Sequence, residues 1–416
     1  MIFHYLCNPF FTKAIMNISH YFKPLVFETQ NYLSEEPSTS MAHVIHAYTD
    51  EEHFPEIEDY SLAIIGVPDD RGAVGNKGCA EAPNRVRSYL YSLAAPAKGM
   101  TIYDLGDIVP GQSIEDTYEA VTDVISQLLS NNITTIVLGG GQDITYAIYK
   151  AYEAVGRIVN ISAIDPRFDI GSNSKPTSQS YLSHIIMQQP SYLFNFTSMG
   201  YQTYLVGNEL IGLMDELHFG AYRLGYLQED IRRAEPLVRN SDILTIDISA
   251  VRQSDAPANA HPSPHGLYGE QLCQIGRYAG MSDKVSCLGI FEINPIYDPN
   301  GQTAHMAAHA LWYFIEGFHN RKDDAPFYIL QDGKPVLQHH DCVQMLVQVE
   351  SHNMDITFYK SRITDRWWME VPIDNEERRI RYHRHLIVPC NRSDYELAMN
   401  NKVPDLLFRS FQRLMF

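Results

Sequence analysis

Apolar residues in this chain come in short unbroken runs separated by amphipathic stretches, the pattern of strands buried on both faces and joined by helices. The runs Tyr60-Ser-Leu-Ala-Ile-Ile-Gly-Val67, Met100-Thr-Ile-Tyr-Asp-Leu-Gly106, Ile133-Thr-Thr-Ile-Val-Leu138, Ile158 to Ile164, Ser241 to Ser249 and Lys284 to Ile293 predict strands, and Tyr192 to Val206 predicts a strand pair. Between them, Glu81 to Leu90, Ile114 to Asn131, Ile144 to Ala154, Glu209 to Leu217, Glu229 to Val238, Tyr268 to Tyr278 and Gln302 to Phe318 predict helices. Pro83 suits the first turn of its helix, and Val121, Ile125 and Leu128 keep helical spacing in theirs. This alternation over residues 60–320 predicts an α/β fold of three layers, helices on both sides of a mainly parallel sheet. Residues 1–59, with the polar Ser34 to Ser40 and the acidic Asp50 to Glu52, read as an N-terminal arm. From 321 to 416 short aromatic runs such as Asp355 to Tyr359 and Trp367 to Val371 predict a C-terminal extension with short strands.

In open parallel sheets the active site lies at the carboxyl ends of the strands, so the residues just after each run carry the chemistry. Here they are Gly139-Gly-Gly-Gln142, Asp165-Pro-Arg-Phe-Asp169, Asp247-Ile-Ser249 and Glu292. Asp165 and Asp169 are in phase on a strand end, with Arg167 between them on the same face. A guanidinium has five donors and no acceptor, so Arg167 cannot be a metal ligand, although it can stand where a cation stood. The loop Ser254 to Gly266 offers His261 and His265 on the same side.

Taken in order, Gly66-Val-Pro-Asp-Asp-Arg-Gly72 with Ala82-Pro83, Asp104-Leu-Gly-Asp107, Gly139 to Asp143, Asp165 to Asp169, Asp247 to Ser249, and Phe291-Glu-Ile-Asn-Pro295 followed by Asp298 to Ala304 resemble the ureohydrolases, the arginase, agmatinase and formimidoylglutamase family. The resemblance implies an arginase-like fold. It also implies six ligands for two manganese ions, from Gly-Gly-x-His, Asp-x-His-x-Asp and Asp-x-Asp. Asp165, Asp169 and Asp247 match that set; Gln142, Arg167 and Ser249 stand where the other three ligands are lost. Glu292 matches the glutamate near the cationic end of the substrate, and His261 and His265 are further substrate-side candidates. The proton-relay histidine has no counterpart; His184 is only a neighbour in sequence.

These substitutions lead to the expectation of an arginase/formimidoylglutamase-family protein that has lost its di-metal hydrolase chemistry and binds a ligand or partner. No cofactor is expected, or at most one divalent cation (Mn2+, Mg2+ or Ca2+) instead of two Mn2+. Arg167 is expected to fork onto two of the aspartates as a built-in cation. The plainer reading of Asp165, Arg167, Asp169 and Asp247 is a buried ion-pair network that holds the strand ends. The alternative is an active hydrolase of a guanidino or formimino substrate, using a single or rearranged metal site.

Charge and composition narrow the partners. Fifty acidic against thirty-two basic residues give a net charge of −18, which repels phosphate backbones and anionic lipid, so neither nucleic acid nor a membrane is expected. A small molecule or a protein partner is left open, and the resemblance to oligomeric enzymes allows a homo-oligomer or a purely structural role in an assembly. The six cysteines show no Cys-x-x-Cys spacing, which predicts reduced thiols in a cytoplasm. The apolar first fifteen residues lack the basic start of a signal peptide, and Met16 could be the true start. His305 and His309, at i and i+4, suggest a packed or surface role rather than a metal, since no third ligand is evident. His339-His340-Asp341-Cys342 suggests a solvated loop, and Trp367-Trp368 a core or interface.

Overall fold

Each apolar run becomes a strand that sends alternate side chains into two different cores. The computed structural model describes residues 18–25, 39–58, 61–96, 100–339 and 341–415. The first fifteen residues, Met16 and His340 lie outside them. In chain order the elements up to residue 319 are β1 (Phe22–Lys23), β2 (Ile45–Ala47), β3 (Leu62–Val67), α1 (Ala82–Leu90), β4 (Ile102–Ile108), α2 (Ile114–Ser130), β5 (Thr134–Gly139), α3 (Ile144–Ala154), β6 (Val159–Ile164), α4 (Tyr181–Met187), β7 (Leu193–Tyr201), α5 (Asn208–Glu216), β8 (Gly220–Arg223), α6 (Leu224–Glu229), α7 (Ala234–Arg239), β9 (Ile243–Asp247), α8 (Gly269–Gly280), β10 (Cys287–Phe291) and α9 (Gln302–His319).

The sheet order is β1-β4-β3-β5-β10-β9-β6-β7-β8, with β2 also on β4; β1 is antiparallel and every other pairing is parallel. Leu62 and Ile64 of β3 face one core, with Val86 of α1, Leu237 of α7, Leu272 of α8 and Leu311 of α9. Ala63, Ile65 and Val67 face the other, with Val121 of α2, Ile148 of α3 and Leu182 of α4. The period of two along the strand therefore produces the three layers.

Three predicted elements differ. The expected pair over Tyr192–Val206 is the single strand β7, because Leu193 to Tyr201 is buried almost throughout and runs parallel to β6. The expected helix from Glu229 breaks: Asp230 is extended and its carboxylate accepts the Arg232 amide, so α7 starts only at Ala234. The last core strand stops at Phe291, because Glu292 takes a positive φ of 63°.

Helices α8 and α9 pack at backbone contact. A Cβ on Gly276 would lie 2.5 Å from the Ala310 carbonyl oxygen, and one on Gly280 would lie 2.0 Å from that of Phe314. Helix propensity favours Gly276→Ala by about 1 kcal/mol, but pushing two backbones apart costs roughly 1–3 kcal/mol. Gly276→Ala is thus expected to lower the melting temperature; an unchanged or raised value would show that the helices separate freely.

Beyond residue 320 the chain forms the hairpin β11 (Phe327–Gln331) and β12 (Lys334–Gln338), then β13 (Cys342–Val349), β14 (Met354–Ser361), β15 (Trp367–Glu370), α10 (Glu376–Arg381), β16 (Ile387–Cys390), α11 (Arg392–Met399) and α12 (Asp405–Met415). Strands β13-β14-β15-β16 make an antiparallel sheet over a third core with Val347, Phe358, Trp368 and Leu407. This unit sits at the amino ends of β6 and β9, opposite the site. Arg384 pairs with Asp242 at 2.6 Å and donates to the Ile158 carbonyl at 3.2 Å, while Arg239 donates to the Trp367 and Cys390 carbonyls. Burial opposes ionisation of Asp242, yet Arg384 and Lys284 hold its carboxyl down to about 2. No helix among the described residues is long and apolar enough to cross a membrane.

Candidate functional site

Four adjacent strands, β5, β10, β9 and β6, end side by side and deliver Gln142, Glu292, Asp247 and Asp165 to one place. Strand β10 inserts between β5 and β9, so the chain order of the motifs is not their order in space. The turn after β5 is built for close approach: a Cβ on Gly140 would lie 2.0 Å from the Asp69 carbonyl oxygen. That turn buries Gln142, whose amide N–H donates to Glu292 Oε1 at 3.0 Å and whose Nε2 donates to Thr245 Oγ1 at 2.9 Å. Its Oε1 is buried without a hydrogen-bond partner.

Strand β6 ends at Ile164, so Asp165 to Asp169 is a loop and not the strand end expected. Asp165 Oδ1 accepts the Arg167 amide at 2.6 Å, and Asp169 adopts a φ of +51°, which turns the chain back. Phe168 anchors the loop, buried against Tyr201 with ring centroids 4.9 Å apart. On β9, Asp247 Oδ1 accepts the Ser249 amide at 2.7 Å. Arg167 does not fork onto the aspartates: its side chain is half-buried and forms no ion pair with Asp165, Asp169 or Asp247, acting on the last two only through longer-range charge. The loop that brings the carboxyls together uses the Arg167 backbone, not its guanidinium.

The carboxyls are therefore buried without a cation in contact. Burial lifts Asp169 to about 7, and burial with the charge of Asp247 lifts Glu292 to about 8. Burial and the neighbouring Asp169 and Asp247 raise Asp165 well above the carboxylate range, and burial raises Asp247 too. Apart from the hydrogen bond the two carboxyls make with each other when Asp165 holds its proton, Asp165 Oδ2 and Asp169 Oδ2 have no partner.

Several residues that hold this site were not among the candidates, and of these Asn76 and Tyr181 lie outside every motif. Asn76 Nδ2 donates to Glu292 Oε2 at 2.7 Å and to its carbonyl at 2.9 Å, Asn259 Nδ2 adds a bond to that carbonyl at 3.1 Å, and Asn294 Nδ2 reaches Asn76 Oδ1 at 3.0 Å. Tyr181 is buried beside the aspartates. Asp143, next to Gln142, accepts the Tyr118 hydroxyl at 2.7 Å and is lifted by burial to about 7. The turn residues around Asn76, Gly75-Asn-Lys-Gly78, were the available signal.

His261 and His265 are both exposed. The His261 ring lies against Gly75, where a Cβ would come within 2.7 Å of Nε2. His265 rims a 390 Å3 cavity that also holds Tyr201, Gln202, Arg223, Arg252 and Tyr268, with no Asp or Glu in its wall. Gln202 N–H donates to the Pro166 carbonyl at 3.0 Å, which joins this cavity to the Asp165 loop. A larger 850 Å3 groove follows α8 and α9 around Cys273 and His309, away from these strand ends. There His305 stacks on Tyr89 at 4.7 Å and lies 4.5 Å from the His309 ring, an aromatic row in which both histidines are exposed. His184 packs on Tyr146, with Nε2 3.0 Å from the Asn173 carbonyl.

The sequence profile of the arginase family matches residues 60–316. A formimidoylglutamase of Staphylococcus aureus is 26% identical over 266 residues, 61% of this chain and 86% of its own. Among solved structures, formiminoglutamase of Trypanosoma cruzi with two Mn2+ superposes with a TM-score of 0.60 at 19% identity, covering 69% of this chain and 100% of that one. Formimidoylglutamase of Bacillus subtilis gives 0.59 at 21% identity, covering 64% and 89%.

The manganese-bound neighbour overturns the expectation of no cofactor, or of at most one cation: a solved formiminoglutamase of this fold carries two Mn2+. In this chain the oxygen donors suit such a hard ion, since Asp165 Oδ2, Asp169 Oδ2 and Gln142 Oε1 are buried and unpartnered. The nitrogen donors are absent, and among the described residues no three His, Cys, Asp or Glu side chains stand in a ligating group. A strand order that gathers these motifs, and a profile that matches from β3 into α9, make one statement: this chain belongs to the arginase family.

Proposed function

We propose that this protein is a manganese-dependent hydrolase of a linear amidine C–N bond, of the formimidoylglutamase type. The observation that carries the reading is the set of buried carboxyls at the strand ends, lifted in pKa and left with unpartnered oxygens, an arrangement that a divalent cation would relieve. As they lie here Asp165, Asp169 and Asp247 do not form a ligating group; drawn together by the ion, they and the Gln142 amide oxygen would hold manganese, which would supply a water ionised near neutral pH and polarise the amidine carbon. Glu292, held by Asn76 and the Gln142 amide, would meet the positive end of an amidinium, whose charge would favour the ionised form of a carboxyl lifted to about 8 in its absence.

The cavity beside the Asp165 loop supports a formimino dicarboxylate over agmatine. Its wall carries Arg223, His265 and Arg252, the last ion-paired with Asp255 at 2.9 Å, and no acid of its own, in a chain of net charge −18. Such a wall attracts carboxylates and repels a second ammonium. A cytoplasmic location goes with this reading, supported by the free thiols of Cys79, Cys273, Cys287, Cys342 and Cys390.

Metal analysis and turnover with added Mn2+ against formimidoylglutamate, agmatine and arginine test the proposal. Turnover of the first is expected; bound manganese without turnover of any sinks it. Arg223→Ala is expected to raise KM for formimidoylglutamate about tenfold at unchanged kcat, the mark of lost ground-state binding. An unchanged KM would place the carboxylates elsewhere.

A second reading, ligand binding without hydrolysis, is favoured by Gln142, Arg167 and Ser249 at the places of family ligands. The variant Gln142→His, Arg167→His, Ser249→Asp separates the two. Activity gained only in that variant supports loss of chemistry in the natural chain; activity already present excludes it.

A further inference from the structure

Strand β13 is an edge of the extension's sheet, paired on one side only, by β14. Among the described residues no backbone group outside the sheet bonds to Cys342–Val349. Proteins guard such edges with charges, proline or a bulge. This one has none of them: Cys-Val-Gln-Met-Leu-Val-Gln-Val carries no charged residue and no proline, and its eight pairs with β14 run without a register shift. Leu346 is 68% exposed in its middle and Val343 37% near its start.

The strand also reads almost the same in both directions about Leu346. Laid antiparallel on a second copy with the two-fold axis at that residue, Val343 meets Val349, Gln344 meets Gln348, Met345 meets Val347 and Leu346 meets Leu346. Apolar faces apolar and amide faces amide at every pair. The flanking acids do not oppose each other, since Asp341 falls opposite Ser351 and Glu350 opposite Cys342. On the inner face Val347 and Val349 are already buried in the third core, so the joined sheet would continue that core across the axis. A two-fold interface must be complementary to itself, and a near-palindromic open edge is.

We infer that β13 is the self-pairing edge of a two-fold dimer, forming one continuous eight-stranded sheet from two copies. The occupant is a second copy of this chain, because the symmetry of the strand matches nothing else as well. The interface lies on the extension and does not depend on the catalytic reading.

Light scattering of the full chain after size exclusion tests this. The unaltered protein is expected to have twice the chain mass or an even multiple of it. Leu346→Lys sets two ammonium groups face to face and is expected to halve the mass, with unchanged circular dichroism because Leu346 is exposed. Mixing Leu346→Lys with Leu346→Glu is expected to restore it. A monomeric parent, or a mass unchanged by Leu346→Lys, overturns the inference. Directly opposed Cα atoms lie about 4.5–5.5 Å apart in either hydrogen-bonding phase, within disulfide reach. Leu346→Cys on a Cys342→Ser background is therefore expected to oxidise to a covalent dimer, whereas Met187→Cys, 65% exposed elsewhere, stays single. No linkage at Leu346→Cys likewise overturns it.

Discussion

Arg87→Leu is expected to destabilise the fold by about 3–5 kcal/mol, the cost of leaving buried charges without their partner. The Arg87 side chain is fully buried between α1 and β4. Its Nε lies 2.8 Å from Asp104 Oδ2 and its Nη1 2.6 Å from Asp107 Oδ1, while Nη2 donates to Asp104 Oδ1 and the Gly106 carbonyl, both at 3.0 Å. Tyr91 adds its hydroxyl to Asp104 Oδ2 at 2.8 Å. With the guanidinium gone, two carboxylates face each other in a water-free space. Adding Asp104→Leu and Asp107→Leu to Arg87→Leu should recover much of the loss, since an apolar cluster of similar volume is nearly neutral relative to an intact ion pair. Urea denaturation of the three proteins checks this. A single variant as stable as its parent would mean that water reaches the carboxylates.

Asp169→Asn should raise the melting temperature of the metal-free protein at pH 8 and leave it unchanged near pH 4. The Asp169 carboxyl titrates at about 7 when folded, against 3.8 ordinarily. Below pH 4 both folded and unfolded chains hold the proton, and the group costs nothing. As pH rises to 7 the unfolded chain releases its proton while the folded chain keeps it, so stability falls across that window and stays low above it. The whole shift corresponds to at most roughly 4 kcal/mol, shared with Asp165, Asp247 and Glu292, whose carboxyls are raised as well. Asparagine suits the positive φ of 51° at this position, so the variant removes charge without adding strain. With Mn2+ present the order should reverse, because the ion stabilises the carboxylate form. Parallel melting curves for parent and variant from pH 4 to 8 would mean that Asp169 is solvated.

The sheet was legible because strand burial on both faces leaves an apolar run that polar residues cannot imitate. Leu62 to Val67 and Val159 to Ile164 are strands buried along their whole length, and Ile144 to Ala154 is a helix with the predicted ends. Elements failed where a single polar residue decided the backbone, as Asp230 did before α7 and Glu292 after β10. The candidate aspartates were readable as strand-end residues. The Asn76 bridge to Glu292 spans 216 positions, and the Tyr118 bond to Asp143 spans 25 across the rest of α2 and strand β5, so no local pattern could show either.

Residue type and spacing alone determined the alternation of strand and helix and the succession of strand-end motifs, in which Gln142, Arg167 and Ser249 stand beside the candidate aspartates. Only the tertiary structure decided that β5, β10, β9 and β6 stand side by side, that a loop at Asp169 turns the carboxyls inward, and that Arg167 stays off them. The reason is physical. Periodicity fixes which face of a segment is buried, whereas strand order and loop turns fix which polar groups are buried together, and it is chiefly their burial, without a cation in contact, that lifts the pKa values on which the proposed function rests.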